Sequence, residues 1–80
     1  MRKSNLPTYA IVELLIRLEP LDPSIGNYKD HSFSTNEVMV KTQQGTIRFS
    51  NPLVQQQFEA PELINNEQLL LAAASFRPFR

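Results

Sequence analysis

The stretch EVMVKTQQGTIRF, residues 37–49, has the largest influence on the expected fold because it predicts a β-hairpin. β-Branched side chains recur on both sides of a short polar loop, which is typical of two antiparallel strands. Gly45 ends that loop and is expected to take a positive φ, as a type I turn with a bulge requires. The alternative for residues 35–44 is a helix begun by Ser34, with Glu37 completing a capping box. The valines and threonines favour the hairpin.

Before the hairpin, residues 6–20 read LPTYAIVELLIRLEP and predict a helix over residues 8–19. Pro7 suits the start of a helix, and the chain leaves helical geometry before Pro20. Glu13 and Arg17 stand four residues apart, the spacing of a helical ion pair. The same stretch alternates regularly enough for a strand, so a strand is the alternative.

Residues 20–33, PLDPSIGNYKDHSF, are predicted to form a long connection because they combine prolines, a glycine and turn-forming side chains. Asp30 beside His31 is the one pairing here that suggests a general base. Ser32 and Ser34 follow closely, but neither lies in a glycine-flanked strained turn of the kind that presents a nucleophile. We therefore expect a loop with a solvated imidazole and no catalytic site.

Two helices are expected after the hairpin. The first begins with Asn51 as N-cap and Pro52 at the first helical position. It should bury Val54 and Phe58 on one side and turn glutamines 55–57 outward.

The second helix is expected over Asn66 to Phe76, capped by Asn65 with Gln68 three residues later. Its residues 69–74 are all apolar and point in every direction around the helix axis. A helix of this kind is predicted to be buried on all sides. A chain of 80 residues offers little core in which to bury it, because such a domain buries only about 60% of its unfolded surface.

The sequence as a whole thus predicts one small α+β domain over residues 1–80. It has an N-terminal helix (alternatively a strand), a β-hairpin, and two C-terminal helices packed on the hairpin. The expected function is a non-enzymatic protein-interaction module, acting as a homodimer or as a small subunit of a larger assembly. The expected partner-binding residues are Leu69, Leu70, Ala73, Phe76, Arg77, Phe79 and Arg80.

A DNA-binding regulator of winged-helix type is the alternative function, and it requires a helix over residues 34–44. Eight basic and eight acidic residues give a net charge of zero, which disfavours binding to a phosphate backbone. The side chains that would contact nucleic acid are Arg2, Lys3, Arg48, Arg77 and Arg80.

Cofactors and metals are not expected. The chain has no Cys and one His, which excludes Cys-based and multi-His metal sites. Glu59, Glu62 and Glu67 do not have the spacing of an oxygen-ligand loop. The sequence shows neither a signal peptide nor an apolar run of the length a membrane span needs, so we expect a cytoplasmic protein without membrane contact.

Overall fold

The computed structural model describes residues 7–79 and shows an α+β fold. Within that range the chain forms three α-helices and a four-stranded antiparallel sheet. The elements in chain order are α1 (Thr8–Leu18), β1 (Tyr28–Phe33), β2 (Glu37–Thr42), β3 (Gly45–Ser50), α2 (Asn51–Glu59), a 3₁₀ turn (Pro61–Leu63), α3 (Asn66–Ala73) and β4 (Arg77–Pro78).

The strands follow one another across the sheet in the order β1-β2-β3-β4, and each neighbouring pair is antiparallel. The predicted hairpin is confirmed as β2 and β3. The prediction of a positive φ at Gly45 is wrong, since Gly26 is the one glycine in the described range with a positive φ, at 89°. Gly45 serves a different purpose: a Cβ atom there would lie 2.6 Å from Cα of Pro78, so only glycine lets β4 come this close.

The predicted long connection over residues 20–33 is wrong in its second half, where β1 pairs with β2. Lys29 and Asp30 are weak strand formers, and a bulge between Tyr28 and Asp30 breaks the alternation. The segment is extended because β2 offers a full ladder of hydrogen bonds. That long-range pairing outweighs the local preference.

Neither edge of the sheet presents a long, unprotected strand. On β1, Oδ1 of Asp30 accepts the backbone N–H of His31 at 2.8 Å, and the bulge twists the strand locally. On the other side, β4 is only two residues long and includes Pro78, which has no N–H to donate. Such edges discourage pairing with a strand from another molecule.

The helix predicted over residues 8–19 is confirmed as α1, and all three helices contribute to one apolar core with β2 and β3. Both C-terminal helices contact β3, as predicted, but α1 contacts both of them in turn. The helical layer therefore has three members rather than two. The buried apolar residues of the core are Ala10, Ile11, Leu14, Leu15, Leu18, Ile25, Val38, Val40, Ile47, Phe49, Leu53, Val54, Ile64 and Leu69.

Helix α2 is present where the sequence predicts it, but its cap and its buried side differ. Ser50, one residue before the expected cap, accepts the N–H of Leu53 through its hydroxyl at 3.2 Å. Gln57, expected to face outward, is 4% exposed, whereas Phe58 is exposed. The buried side of α2 thus includes a polar residue.

The physical reason for that inversion is Arg17 on α1. Its guanidinium donates to Oε1 of Gln57 at 2.9 Å and to the carbonyl oxygens of Pro61 and Ile64 at 3.0 and 2.8 Å. The amide nitrogen of Gln57 in turn donates to Glu13 at 3.2 Å. Gln57 therefore stands between the acid and the base that the sequence suggested as a direct ion pair.

Helix α3 begins as predicted and ends earlier. Asn65 and Gln68 form the reciprocal capping box, with both hydrogen bonds at 3.0 Å. The helix stops at Ala73 instead of continuing to Phe76. Beyond it, the hydroxyl of Ser75 accepts the backbone N–H of Arg48 at 3.0 Å, which directs the chain toward the edge of β3.

Candidate protein-interaction surface

The described part of α3 is buried on one side only. Leu69 is 1% exposed and belongs to the core, whereas Leu70 is 49% and Leu71 is 76% exposed. The prediction that this helix is buried all round is therefore wrong. Helix α3 lies at the border of the helical layer, so one leucine faces the core and the next two face solvent.

Four of the exposed residues in and just after α3 form a continuous stripe along the helix. Glu67, Leu70, Leu71 and Ala74 are all exposed and follow the i, i+3, i+4, i+7 spacing that places side chains on one helical face. Ala74 keeps helical backbone angles at the C-cap, so the stripe extends to the end of the helix. We call these four residues the α3 stripe. Its centre is apolar.

Leu71 lines two open depressions of the surface. One hollow, of about 460 Å³, lies between α2, α3 and β3, and its walls include Leu53, Gln56 and Ala72. The other, of about 420 Å³, is bordered by Glu67, Leu70 and Leu71 itself. A partner that fits this surface needs an apolar projection beside a groove that can receive Leu71.

The tail after α3 is fastened to the sheet and still presents an aromatic side chain. The N–H of Phe79 donates to the carbonyl of Gln44 at 2.8 Å, while the residue is 58% exposed. Ala73 and Phe76 are partly buried against the core. Arg77 is exposed in β4, and Arg80 lies outside the described residues.

Of the residues expected to bind a partner, the structure exposes Leu70, Arg77 and Phe79 and buries Leu69. Leu71 was missed by the sequence reasoning. Nothing in a run of six apolar residues marks which of them faces the core. Only the position of α3 against β3 makes that distinction.

Two of the residues named for nucleic-acid binding share the open face of the sheet. Arg77 pairs with Thr46, and Arg48 follows two residues along the same strand. Arg48 Nε lies 3.4 Å from a carboxylate oxygen of Glu37, which offsets part of its charge. The helix that a winged-helix reader requires over residues 34–44 is absent, because β2 occupies that segment. Arg2 and Lys3 lie outside the described residues.

Asp30 and His31 do not form a carboxylate–imidazole pair. They are neighbours on a strand, so their side chains point to opposite faces of the sheet. Nδ1 of His31 lies 2.7 Å from the hydroxyl of Tyr28, and its ring meets Phe33 edge-on at 5.1 Å between centroids. The imidazole is thus oriented by a phenol and is half-buried on an edge strand.

The pKa of Tyr28 is raised above its ordinary value, first by burial and second by the negative charge of Asp30. Because the folded pKa exceeds the unfolded one, the folded state binds the proton more tightly, and stability falls as the pH rises above about 10. Ultraviolet titration of tyrosinate should show a component above the ordinary range that Tyr28→Phe removes. Asp30→Asn should move that component toward lower pH. A titration unchanged by Tyr28→Phe would contradict the assignment.

Other kinds of site find no support in the described range. Residues 7–79 contain no group of three or more His, Asp or Glu side chains that could hold a metal ion. Within the same range, no helix has the length and apolar character to cross a membrane. The chain matches no protein-family model, no curated protein and no solved structure at a significant level.

Proposed function

We propose that this protein is a non-enzymatic interaction module, working as a homodimer or as a small subunit of a larger assembly. It contacts another protein through the α3 stripe and the tail at Arg77 to Phe79. The observation that carries the proposal is the pair of adjacent leucines, Leu70 and Leu71, held half to three-quarters exposed on a short capped helix.

Burial of this surface by a partner is energetically favourable. Full burial of one exposed leucine stabilises a complex by about 1.5–3 kcal/mol. The helix that carries the leucines is already fixed at its start by the Asn65 cap and near its end by Ser75. A surface that is ordered before binding loses little conformational entropy on association. Glu67 adds a charge in the first turn of the helix, which suits a polar rim beside an apolar centre.

Site-specific photo-cross-linking in cells tests the proposal. A photoreactive phenylalanine derivative at position 71 should give discrete cross-linked protein products, because the native side chain there is the most exposed leucine of the stripe. The matched control places the same group at position 16, since Ile16 is 60% exposed on α1. Equal product yields from the two positions would show that exposure alone explains the products. That result would overturn the proposal.

A further inference from the structure

We infer that the cleft between α1 and the start of β1 binds a small aliphatic amine, with its alkyl chain against α1 and its ammonium group beside Glu19. The cleft has a volume of about 320 Å³. Small-molecule sites in proteins are commonly clefts of this size, mostly apolar and with a few polar groups. The cleft shares no lining residue with the two depressions that Leu71 lines, so the inference goes beyond the proposed function and is independent of it.

One wall of the cleft is a single face of α1. Its residues have the i, i+3, i+4, i+7 spacing of one helical face, and they are Val12, Leu15, Ile16 and Glu19. Ile16 is apolar and yet 60% exposed. Glu19 follows Ile16 by three residues, which is about 4.5 Å along the helix axis. A ligand whose alkyl chain covers Val12 and Ile16 therefore places its end group beside Glu19.

The opposite wall is held in place by hydrogen bonds within the protein. It consists of Gly26, Asn27 and Tyr28. The carbonyl of Asn27 accepts the N–H of Gln43 at 2.9 Å, and the hydroxyl of Tyr28 lies 2.7 Å from Nδ1 of His31. A ligand that enters the cleft thus meets an ordered surface, and its binding costs little conformational entropy of the protein.

The electrostatic surroundings of the cleft favour a cation. Of the described residues that line it, Glu19 is the one with a charge. Glu19 is also the C-cap of α1, and the C-terminal end of a helix adds negative potential of its own. The negative charge of Asp30 acts in the same sense, since it is the second cause, after burial, that raises the pKa of Tyr28. An ammonium group suits all three of these sources of negative potential.

No described side chain neutralises Glu19. Arg17 is the basic residue in the last turn of α1, but its guanidinium is directed to α2 and the 3₁₀ turn, on another side of the helix. Within residues 7–79 the one ion pair joins Arg48 to Glu37. A bound ammonium group would therefore give Glu19 the counter-charge that the described part of the chain does not supply.

NMR titration of the full-length protein with n-pentylamine tests the inference, with n-pentanol and pentanoate as neutral and anionic ligands of the same chain length. At neutral pH an alkylamine is protonated, as the side chain of lysine is. It should shift the methyl signals of Val12 and Ile16 and the amide signal of Tyr28, with a dissociation constant in the millimolar range. n-Pentanol should bind about fivefold more weakly, which corresponds to the upper range for an exposed ion pair. Pentanoate should bind more weakly still.

Three variants separate the charge from the shape of the cleft. Glu19→Gln should weaken the binding of n-pentylamine about fivefold and leave that of n-pentanol unchanged. Glu62→Gln is the matched control, because it removes the same charge from another exposed position and should change neither affinity. Val12→Phe fills the cleft and should abolish the binding of all three ligands. Circular dichroism verifies that each variant is folded.

Equal affinities for n-pentylamine and n-pentanol would overturn the recognition of an ammonium group, and so would equal effects of Glu19→Gln and Glu62→Gln. Unshifted signals at Val12, Ile16 and Tyr28 would overturn the site itself. A lysine side chain has the same chemistry as the inferred ligand, so Nα-acetyllysine N-methylamide is titrated as well. Tighter binding of that compound than of n-pentylamine would assign the cleft to a lysine of another protein and overturn the small-molecule ligand.

Discussion

Replacement of Arg17 by Met is expected to lower the free energy of unfolding by about 3 kcal/mol. Methionine retains the apolar length of the side chain and removes its hydrogen bonds to Gln57, Pro61 and Ile64. Those partly buried partners then lose their donor, and an unsatisfied buried polar group costs about 1–3 kcal/mol. For a domain of this size, the loss corresponds to a fall of roughly 12–24 °C in the midpoint of thermal unfolding.

Arg48→Met is the matched control for this experiment. Its side chain is 58% exposed, and its contact with Glu37 spans 3.4 Å at the surface. Exposed ion pairs of this kind contribute about 0–1 kcal/mol. The destabilisation caused by Arg17→Lys should lie between those caused by Arg17→Met and Arg48→Met. An ammonium group lacks the planar fork of a guanidinium and cannot reach the amide and both carbonyls at once. Equal destabilisation by Arg17→Met and Arg48→Met would contradict the role given to Arg17.

Replacement of Gly45 by Ala is expected to destabilise the protein by about 2–3 kcal/mol and to release β4 from the sheet. The new methyl group would collide with the carbonyl of Arg77 and approach Cα of Pro78 to 2.6 Å. These are backbone atoms, so no side-chain rotation relieves the contact. Amide hydrogen exchange reports the release directly, because the Phe79 N–H loses its bond to Gln44 and should exchange freely.

A double-mutant cycle separates this collision from other effects of the substitution. A chain that lacks residues 77–80 removes the atoms that the Gly45→Ala methyl group would meet. In that background the same substitution should cost less than about 1 kcal/mol, so the two changes are strongly non-additive. Additive effects would show that Gly45 is required for a reason unrelated to β4.

Local chemistry made much of the fold predictable. Val38 and Val40 before Gln43–Gln44, with Ile47 and Phe49 after it, specify the hairpin of β2 and β3. Pro7 and Pro20 bound a stretch of good helix formers, which becomes α1. Asn65 with Gln68 predicts the start of α3, because a cap depends on residues three apart in sequence.

The features that sequence reasoning missed depend on contacts between distant segments. Tyr28–Phe33 becomes a strand only because β2 is beside it. Gln57 turns inward because Arg17, forty residues earlier, supplies a hydrogen-bond donor. In both cases the local signal favours another structure, and a tertiary hydrogen bond outweighs it.

The candidate surface was likewise predictable only in part from local sequence. An apolar helix near the end of the chain is evident from residues 69–74 alone. The orientation of that helix is not, because every side of it is equally apolar. Leu69 was expected at the interface and lies in the core, whereas Leu71 was not singled out and is the most exposed of the three leucines. The rotational setting of α3 about its own axis decides which leucine is buried, and packing against β3 and α1 fixes that setting.

The hydrogen bonds of Arg17 also have a kinetic consequence. They join segments 40 to 47 residues apart, whereas the turns between β1, β2 and β3 close over a few residues. Short loops close fastest, so the three-stranded meander is expected to organise first and the attachment of α1 to α2 to come late. Interactions absent from the transition state govern the unfolding rate and not the folding rate. Loss of the Arg17 guanidinium is therefore expected to raise the unfolding rate, which shortens the lifetime of the native state, and to leave the folding rate nearly unchanged.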